Sequence, residues 1–338
     1  MSNITTLDQF LSEAKAQFHI YDLGRRVQLI DKSTFKKIEQ LNQPYPYPIQ
    51  GHGQFAVVFW TDSAQPFIWF LKLPLDEQGF LSPSATSQFM TMIIEALGQN
   101  ITKELVEKEQ QKLANHAFSF KPTEEKLAVF NALVRKALNA KLSKQYQYAA
   151  DYLQGNINKD DWQGMGLQGI ADICVRLDDS QHLAMINYGL SLDIKDVSIA
   201  LCQCLELIEI PDTLGATLFN LFKTCDQEDT KSYYFRALAS QPKYTIKTIE
   251  IINSVNAFTP NILIIIAARN WIALTDANTL KTYFEALAKQ SPQMFNQVFA
   301  DLVAIPLLRQ QLLCFIRQPE RSVQLSDAIG GLFRAIKS

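Results

Sequence analysis

The chain has 338 residues, of which 47% are hydrophobic and 20% charged, and its formal net charge is −2. Enough apolar residues are present to build a sizeable core, so the composition excludes wholesale disorder. The near-neutral charge argues against a general electrostatic attraction to nucleic acid or to anionic lipid. A chain of this length is expected to form about two domains.

The N-terminal residues carry neither the basic stretch nor the apolar run of a secretory signal, so no signal peptide is expected. No apolar run approaches the length of about 20 residues that a membrane span needs. The five cysteines are odd in number and irregularly spaced, which is typical of reduced thiols rather than of a disulfide framework. We therefore expect a cytoplasmic protein without membrane insertion.

Residues 1–82 are predicted to form a small α+β domain. Apolar residues at helical spacing predict an amphipathic helix at residues 6–17 and a second short helix that begins at Ser33. Residues 18–30 change to the alternation of a strand, which Gly24 is expected to kink. Two aromatic runs at residues 55–60 and 66–73 are joined by a short polar connection, which predicts a hairpin in a small antiparallel sheet.

From residue 84 the apolar spacing becomes helical, and residues 83–155 are predicted to be connecting helices. Helices are predicted at residues 85–97, 102–115, 123–143, 144–154 and 161–177. Thr123 is the expected cap of the third helix, and basic residues are concentrated near its C-terminal end, where they complement the helix dipole. These basic residues are Arg135, Lys136, Lys141 and Lys144.

Residues 156–338 are predicted to form a helical-repeat-like domain. Polar or proline-containing breaks recur at roughly 30–35 residues, with about two helices in each interval. This spacing predicts a HEAT-like α-solenoid, with an irregular helical array as the alternative. Its central helix is expected to be capped by Thr259 and to begin at Pro260, and its residues 262–268 are apolar on every face, which predicts burial on several sides. The predicted fold class is therefore α+β and predominantly α-helical.

Residues 164–169 match the G-x-G-x-x-G pattern of dinucleotide-binding loops. That function requires a buried strand before the glycines and an acidic residue about 20 positions after them. A polar turn precedes Gly164 instead, and no acidic residue stands at the required distance. The glycines are therefore interpreted as positions of close helix packing, and no nucleotide cofactor is expected.

Metal-binding and catalytic spacings are not evident either. Cys202 and Cys204 stand two positions apart in a predicted helix, where their side chains point about 200° apart and do not readily share a metal. The four histidines are scattered, and the acidic pairs fall at predicted helix starts, where they act as caps. No catalytic residue, metal ligand or cofactor is predicted.

Two N-terminal features are candidates for a ligand or partner surface. Arg25 and Arg26 follow Gly24 in the predicted strand, where adjacent side chains point to opposite faces, so one arginine is expected to pair internally and the other to face solvent or a ligand. The second feature is the alternating Pro-Tyr segment at residues 44–48, which favours polyproline II and stands near the aromatic strands. The candidate surface consists of Asp22, Arg25, Arg26, Tyr45, Tyr47 and His52.

Three motifs stand within the first 80 residues. They are Tyr-Asp-Leu-Gly-Arg-Arg-Val at residues 21–27, Pro-Tyr-Pro-Tyr-Pro at residues 44–48 and Ile-Trp-Phe-Leu-Lys-Leu-Pro-Leu-Asp-Glu at residues 68–77. Together they resemble a gammaproteobacterial protein family of unknown function, and the resemblance covers most of the chain. It implies a bacterial cytoplasmic origin, but it implies no activity, and no functional residue carries over from it.

These observations favour a non-catalytic scaffold or adaptor that binds another protein through a helical-repeat surface. The interpretation rests on the helical hairpins, the near-neutral charge and the missing catalytic pattern. The first alternative is an enzyme or small-anion-binding protein with a site at the junction of sheet and helices. The second is a nucleic-acid-binding protein that uses the basic end of the helix predicted at residues 123–143.

Overall fold

The computed structural model of the chain describes residues 4–61, 66–97 and 116–337. The described residues form two compact units. The first contains the described residues up to Pro122 together with Ala304–Leu307, and the second contains the other described residues from Thr123 onward. The helix predicted at residues 102–115 and most of the predicted hairpin connection lie outside the described residues. No helix in the described ranges is long and apolar enough to cross a membrane.

Within these ranges, the first unit is built on a four-stranded antiparallel sheet in the order β2-β1-β3-β4. Its strands are β1 (Gln17–Asp22), β2 (Gln28–Ile30), β3 (His52–Trp60) and β4 (Phe67–Pro74). Ile20 of β1 pairs with Val57 of β3, which pairs with Trp69 of β4 on its other side. The predicted hairpin and the small antiparallel sheet are therefore confirmed.

Three helices share one hydrophobic core with this sheet. They are α1 (Leu7–Glu13), α2 (Lys32–Glu39) and α3 (Pro83–Leu97). Alternate residues of β3, Phe55, Val57 and Phe59, belong to this core together with Phe35 of α2 and Phe89 of α3. Because α3 and Phe118 pack against this core, the first unit extends to Pro122, whereas the sequence predicted a domain boundary after residue 82.

A buried carboxylate joins α1 to α2. Glu39, at the end of α2, accepts hydrogen bonds from the backbone N–H groups of Leu7 (2.7 Å) and Asp8 (2.9 Å) at the start of α1. These N–H groups have no partner inside their own helix. Burial raises the pKa of Glu39 from 4.5 to about 7, and it outweighs the two backbone bonds, which lower the pKa.

Two predicted boundaries in the first unit differ from the structure. Helix α2 begins at Lys32 rather than Ser33, because Asp31 caps it by accepting a backbone N–H hydrogen at 2.9 Å. The strand predicted at residues 18–30 is instead two strands, because the chain bends between β1 and β2 and pairs them antiparallel.

The second unit is helical, and the predicted α-rich α+β class is confirmed. From Thr123 onward the described helices are α4 (Glu124–Ala137), α5 (Tyr146–Leu153), α6 (Leu167–Cys174), α7 (Ser180–Ser191), α8 (Lys195–Leu205), α9 (Asp212–Thr224), α10 (Glu228–Ala237), α11 (Pro242–Ser254), α12 (Pro260–Ala268), α13 (Ala277–Leu287), α14 (Pro292–Val303), α15 (Pro306–Phe315) and α16 (Val323–Lys337). Short 3-10 helices lie at Lys159–Gly164, Leu238–Ser240 and Trp271–Thr275.

Alternate helices of the second unit pack on one another. In one series, α4, α6, α8 and α10, each member packs on the next, and α5, α7, α9, α11 and α13 form a second series. Helices α12, α14 and α16 follow the same rule. Helices α10 and α12 do not pack closely on each other, so the first series is interrupted between them.

The helix predicted at residues 123–143 is shorter in the structure. Thr123 caps it as predicted, by accepting the Lys126 backbone N–H, but the helix ends at Ala137. Asn139 then adopts a left-handed backbone conformation with a φ of 50°, which asparagine tolerates better than most residues and which ends the helical pattern.

The single helix predicted at residues 161–177 is a 3-10 turn followed by α6. Gly166 has extended backbone angles and stands at the N-cap of α6, so the two helical pieces are separate. A Cβ atom on Gly169 would lie 2.4 Å from the carbonyl oxygen of Gln145, so glycine is what permits α6 to approach the start of α5 this closely. The glycines thus have a packing role, and the segment that leads into them is a 3-10 helix that ends at Gly164 rather than a strand.

Candidate functional site

Three of the N-terminal candidate residues are buried and hydrogen-bonded. Tyr45 donates its hydroxyl hydrogen to Asp22 Oδ1 at 2.7 Å, and the Gly24 backbone N–H donates to the same oxygen at 3.2 Å. Arg25 Nε donates to the carbonyl oxygen of Pro48 at 2.8 Å. Burial, together with the Asp22 carboxylate, raises the pKa of Tyr45 well above its ordinary value. Asp22, Arg25 and Tyr45 are each 0% exposed, so they tie the Pro-Tyr segment to β1 and present no accessible face to a ligand.

The structure corrects the expectation that one arginine faces solvent or a ligand. Arg25 and Arg26 lie in the bend between β1 and β2 rather than within a strand, so the rule of opposite faces does not apply to them. Both are buried. Tyr47 and His52 are half-buried, and His52 Nδ1 lies 2.8 Å from the carbonyl oxygen of Gln50.

The basic residues near the end of α4 are engaged locally. Lys136 Nζ donates to Asp178 Oδ1 at 2.5 Å, and Arg135 Nη1 lies 3.8 Å from Asp172 Oδ1. The other two basic residues of the predicted group follow the end of α4. The four side chains therefore do not share one helical face.

A cleft of about 520 Å³ lies between α8, α10 and α12. It occupies the gap where α10 and α12 do not pack closely on each other, and its volume is within the range of ligand sites. Its lining includes Lys195, Tyr233, Arg236, Ile264, Ile265 and Arg269. We call it the α10–α12 cleft, and it combines cationic, aromatic and aliphatic side chains.

One buried carboxylate holds two arginines on the wall of the cleft. Glu206, the C-cap of α8, is only 3% exposed. Arg236 donates to it through both Nε and Nη2, with Nη2 at 2.8 Å from Oε1. Arg269 Nε donates to the same Oε1 atom at 3.0 Å. Because the planar guanidinium groups are held by directed bonds, their positions on the wall are fixed.

This cluster of Glu206, Arg236 and Arg269 carries one net positive charge, since one carboxylate faces two guanidinium groups. Burial by itself lowers the pKa of Arg236, but the bonds to Glu206 outweigh it, so the pKa lies above its ordinary value. The Arg236 and Arg269 side chains remain 25% and 21% exposed. The Tyr233 ring lies 4.6 Å from the Arg236 guanidinium and supports it from one side. Part of the positive charge therefore faces the cleft.

Helix α12 adds an exposed aliphatic side chain to the same cleft. Thr259 caps this helix as predicted, by accepting a backbone N–H hydrogen at 3.2 Å. Leu263, Ile265 and Ile266 are buried as expected for a helix that is apolar on every face, but Ile264 is 51% exposed. Ala267 is buried as well, so the expectation of burial on several sides holds for four residues. The face that carries Ile264 is exposed because α10 does not cover it.

The sequence interpretation missed this cluster, although two signals pointed to it. Glu206 lies 30 positions before Arg236 and 63 positions before Arg269. These separations equal about one and two of the intervals between predicted helix breaks, so residues at that period are candidates for one row of a helical array. The second signal is the all-apolar helix α12, since such a helix exposes apolar surface wherever a neighbour is missing.

Comparison with known proteins places the chain in a family without assigning it an activity. No curated protein and no solved structure matches it. A family model described as "Protein of unknown function (DUF3549)" matches residues 2–333, which is nearly the whole chain. This match agrees with the resemblance to an uncharacterised family that the N-terminal motifs carry. The chain belongs to the DUF3549 family of proteins of unknown function.

Proposed function

We propose that the protein is a non-catalytic interaction module whose α10–α12 cleft binds a segment of a partner protein. The observation that carries the proposal is the placement of two fixed arginines, Arg236 and Arg269, in one cleft with the exposed Ile264. Arginine is enriched at protein interfaces. An apolar side chain that is exposed in a concave surface is stabilised when a partner covers it.

We further propose that the second unit is a degenerate HEAT-like array. Packing of alternate helices on one another supports this interpretation, because stacked helical hairpins contact their neighbours in the same way. In such arrays, one layer of helices supplies an extended binding surface, and α8, α10 and α12 would belong to that layer. The five cysteines are free, which supports a location in a reducing compartment such as the bacterial cytoplasm.

Site-specific photo-cross-linking in the native host tests the proposal. The full chain is produced with benzoylphenylalanine in place of Ile264 or, as the control, in place of Val323, which is 77% exposed and outside the cleft. A discrete protein adduct is expected from position 264 and not from position 323. The adduct is expected to survive nuclease treatment and to weaken in the Lys195→Glu variant, which reverses a charge at the cleft.

The same adducts from both positions would show that the cleft has no special affinity for a partner. Loss of the adduct on nuclease treatment would replace a protein partner with a nucleic acid. Either result overturns the proposal.

A further inference from the structure

We propose that the partner segment is acidic and that it inserts a bulky apolar side chain into a second cavity beside the α10–α12 cleft. This inference rests on the proposed function and adds the chemistry of the partner to it. Two observations carry it: the adjoining apolar cavity and the net positive charge at the arginine end of the α10–α12 cleft.

The second cavity, which we call the anchor cavity, has a volume of about 320 Å³. Its apolar lining includes Phe222, Phe235, Ile251, Ile252, Val255 and Ile262. The anchor cavity shares Asp229, Ser232 and Asn261 with the α10–α12 cleft, so the two spaces adjoin. Its volume is near the lower end of the range for ligand sites, and it suits about one or two bulky side chains rather than a large cofactor.

The chain after α11 shapes one side of the anchor cavity. Asn256 has a φ of 53°, a left-handed conformation that asparagine tolerates, and it turns the chain directly after Val255. Val255 is left 67% exposed, whereas Phe222 and Phe235 are 5% and 1% exposed, with ring centroids 6.0 Å apart. An apolar side chain in this cavity would remove the exposed valine surface from water, which favours binding.

The net charge differs between the two ends of α10. Glu228 and Asp229 stand in the first turn of α10, where Asp229 is paired with Lys195 at 3.2 Å. Arg236 stands in the last turn of α10, and Arg269 follows the end of α12. Lys231, which also lines the anchor cavity, and Lys195 offset the charge of the two acidic residues at that end. The cluster at the other end carries one net positive charge, so an acidic group is attracted to the arginine end of the cleft.

This arrangement also sets the spacing of the partner motif. Helix α10 rises by about 10 Å between Asp229, beside the anchor cavity, and Arg236. An extended peptide covers that distance in roughly three residues. We therefore expect the apolar anchor and the acidic residue of the partner to stand roughly three positions apart.

Selection from a display library of random short peptides on the full chain tests this chemistry. The expected result is enrichment of peptides in which Asp or Glu stands roughly three positions from Leu, Ile, Phe or Trp. Enrichment of basic or uncharged peptides, or no enrichment, overturns the inference.

The most enriched peptide is then labelled with a fluorophore, and its binding is measured by anisotropy. Val255→Asp, at the anchor cavity, and Lys195→Glu, at the cleft, are each expected to weaken binding about tenfold or more. The matched control is Val323→Asp, which makes the same substitution at an exposed valine that lines neither cavity, and its affinity is expected within about twofold of wild type. Equal affinities in all three variants contradict the inference.

Binding of the same peptide to Arg236→Gln tests the cationic end of the cleft directly. A thermal melt establishes that this variant is folded. The test does not depend on that variant, because Val255 is exposed and Lys195 keeps 47% of its side chain exposed. An adduct from position 264 without acidic peptides in the selection would overturn this inference and leave the proposed function standing. Binding of a short oligonucleotide that falls steeply with salt, in the absence of any selected peptide, would overturn both.

Discussion

Replacement of Glu206 by glutamine is predicted to destabilise the second unit. The substitution keeps the size of the side chain but removes its charge, so the guanidinium groups of Arg236 and Arg269 are left to face a neutral amide. Breaking a buried ion pair by removal of one partner costs about 3–5 kcal/mol. The two arginine side chains are 25% and 21% exposed, and the water that reaches them relieves part of the effect. We therefore expect the free energy of unfolding to fall by about 3 kcal/mol.

The assay is unfolding of the full chain by urea and by heat, monitored by circular dichroism. For a unit of about 200 residues, a loss of about 3 kcal/mol corresponds to a fall in Tm of roughly 6–12 °C. The control is Lys243→Gln, which removes an ion pair with Asp212 at 3.6 Å in which both side chains are at least 60% exposed. Exposed pairs of this kind contribute less than about 1 kcal/mol. Equal unfolding midpoints for the two variants would refute the assignment of a stabilising role to Glu206.

Three further predictions concern packing and protonation. Because folding raises the pKa of Glu39 from 4.5 to about 7, its stabilising contribution is present below pH 4.5 and is lost as the pH rises through 7. Over this pH range the free energy of unfolding should therefore fall by up to about 3 kcal/mol more in wild type than in Glu39→Gln. Parallel pH profiles of the free energy of unfolding for the two proteins would contradict this. Gly169→Ala should cost about 1–3 kcal/mol, because its Cβ would lie 2.4 Å from a backbone oxygen. Gly330→Ala, whose Cβ would lie 3.5 Å from an Arg334 guanidinium nitrogen, should be neutral or stabilising by up to about 1 kcal/mol. Equal thermal shifts for the two glycine variants would be inconsistent with this account. Tyr45→Phe removes the 2.7 Å bond to the buried Asp22 carboxylate and should lower the free energy of unfolding by about 1–3 kcal/mol in urea, whereas an unchanged midpoint would argue against it.

Features governed by a few neighbouring residues were predictable from the sequence. Thr123 and Thr259 cap the helices that were predicted to begin beside them. The two aromatic runs pair as the predicted hairpin, with Val57 opposite Trp69. Caps and hairpins form between residues close in sequence, so their patterns can be recognised without knowledge of the tertiary structure.

The errors arose where the backbone leaves regular geometry. Arg25 and Arg26 were assigned to a strand with one side chain facing outward, but a bend between β1 and β2 buries both. The helix predicted up to residue 143 ends at Ala137, before the left-handed Asn139. Periodicity describes only regular segments, so it gives no information about the direction of a side chain within a bend.

The α-rich α+β class, the antiparallel hairpin and the capped apolar helix α12 were all predictable from local sequence patterns. The exposure of Ile264, and the bonds by which Glu206 holds Arg236 and Arg269 beside it, depend on how the helices pack in the folded chain. Secondary structure follows from residues within one or two turns of each other. The cleft instead depends on three helices whose key side chains are separated by 30 and 63 positions, and on the gap between α10 and α12, which arises from packing and has no local pattern in the chain.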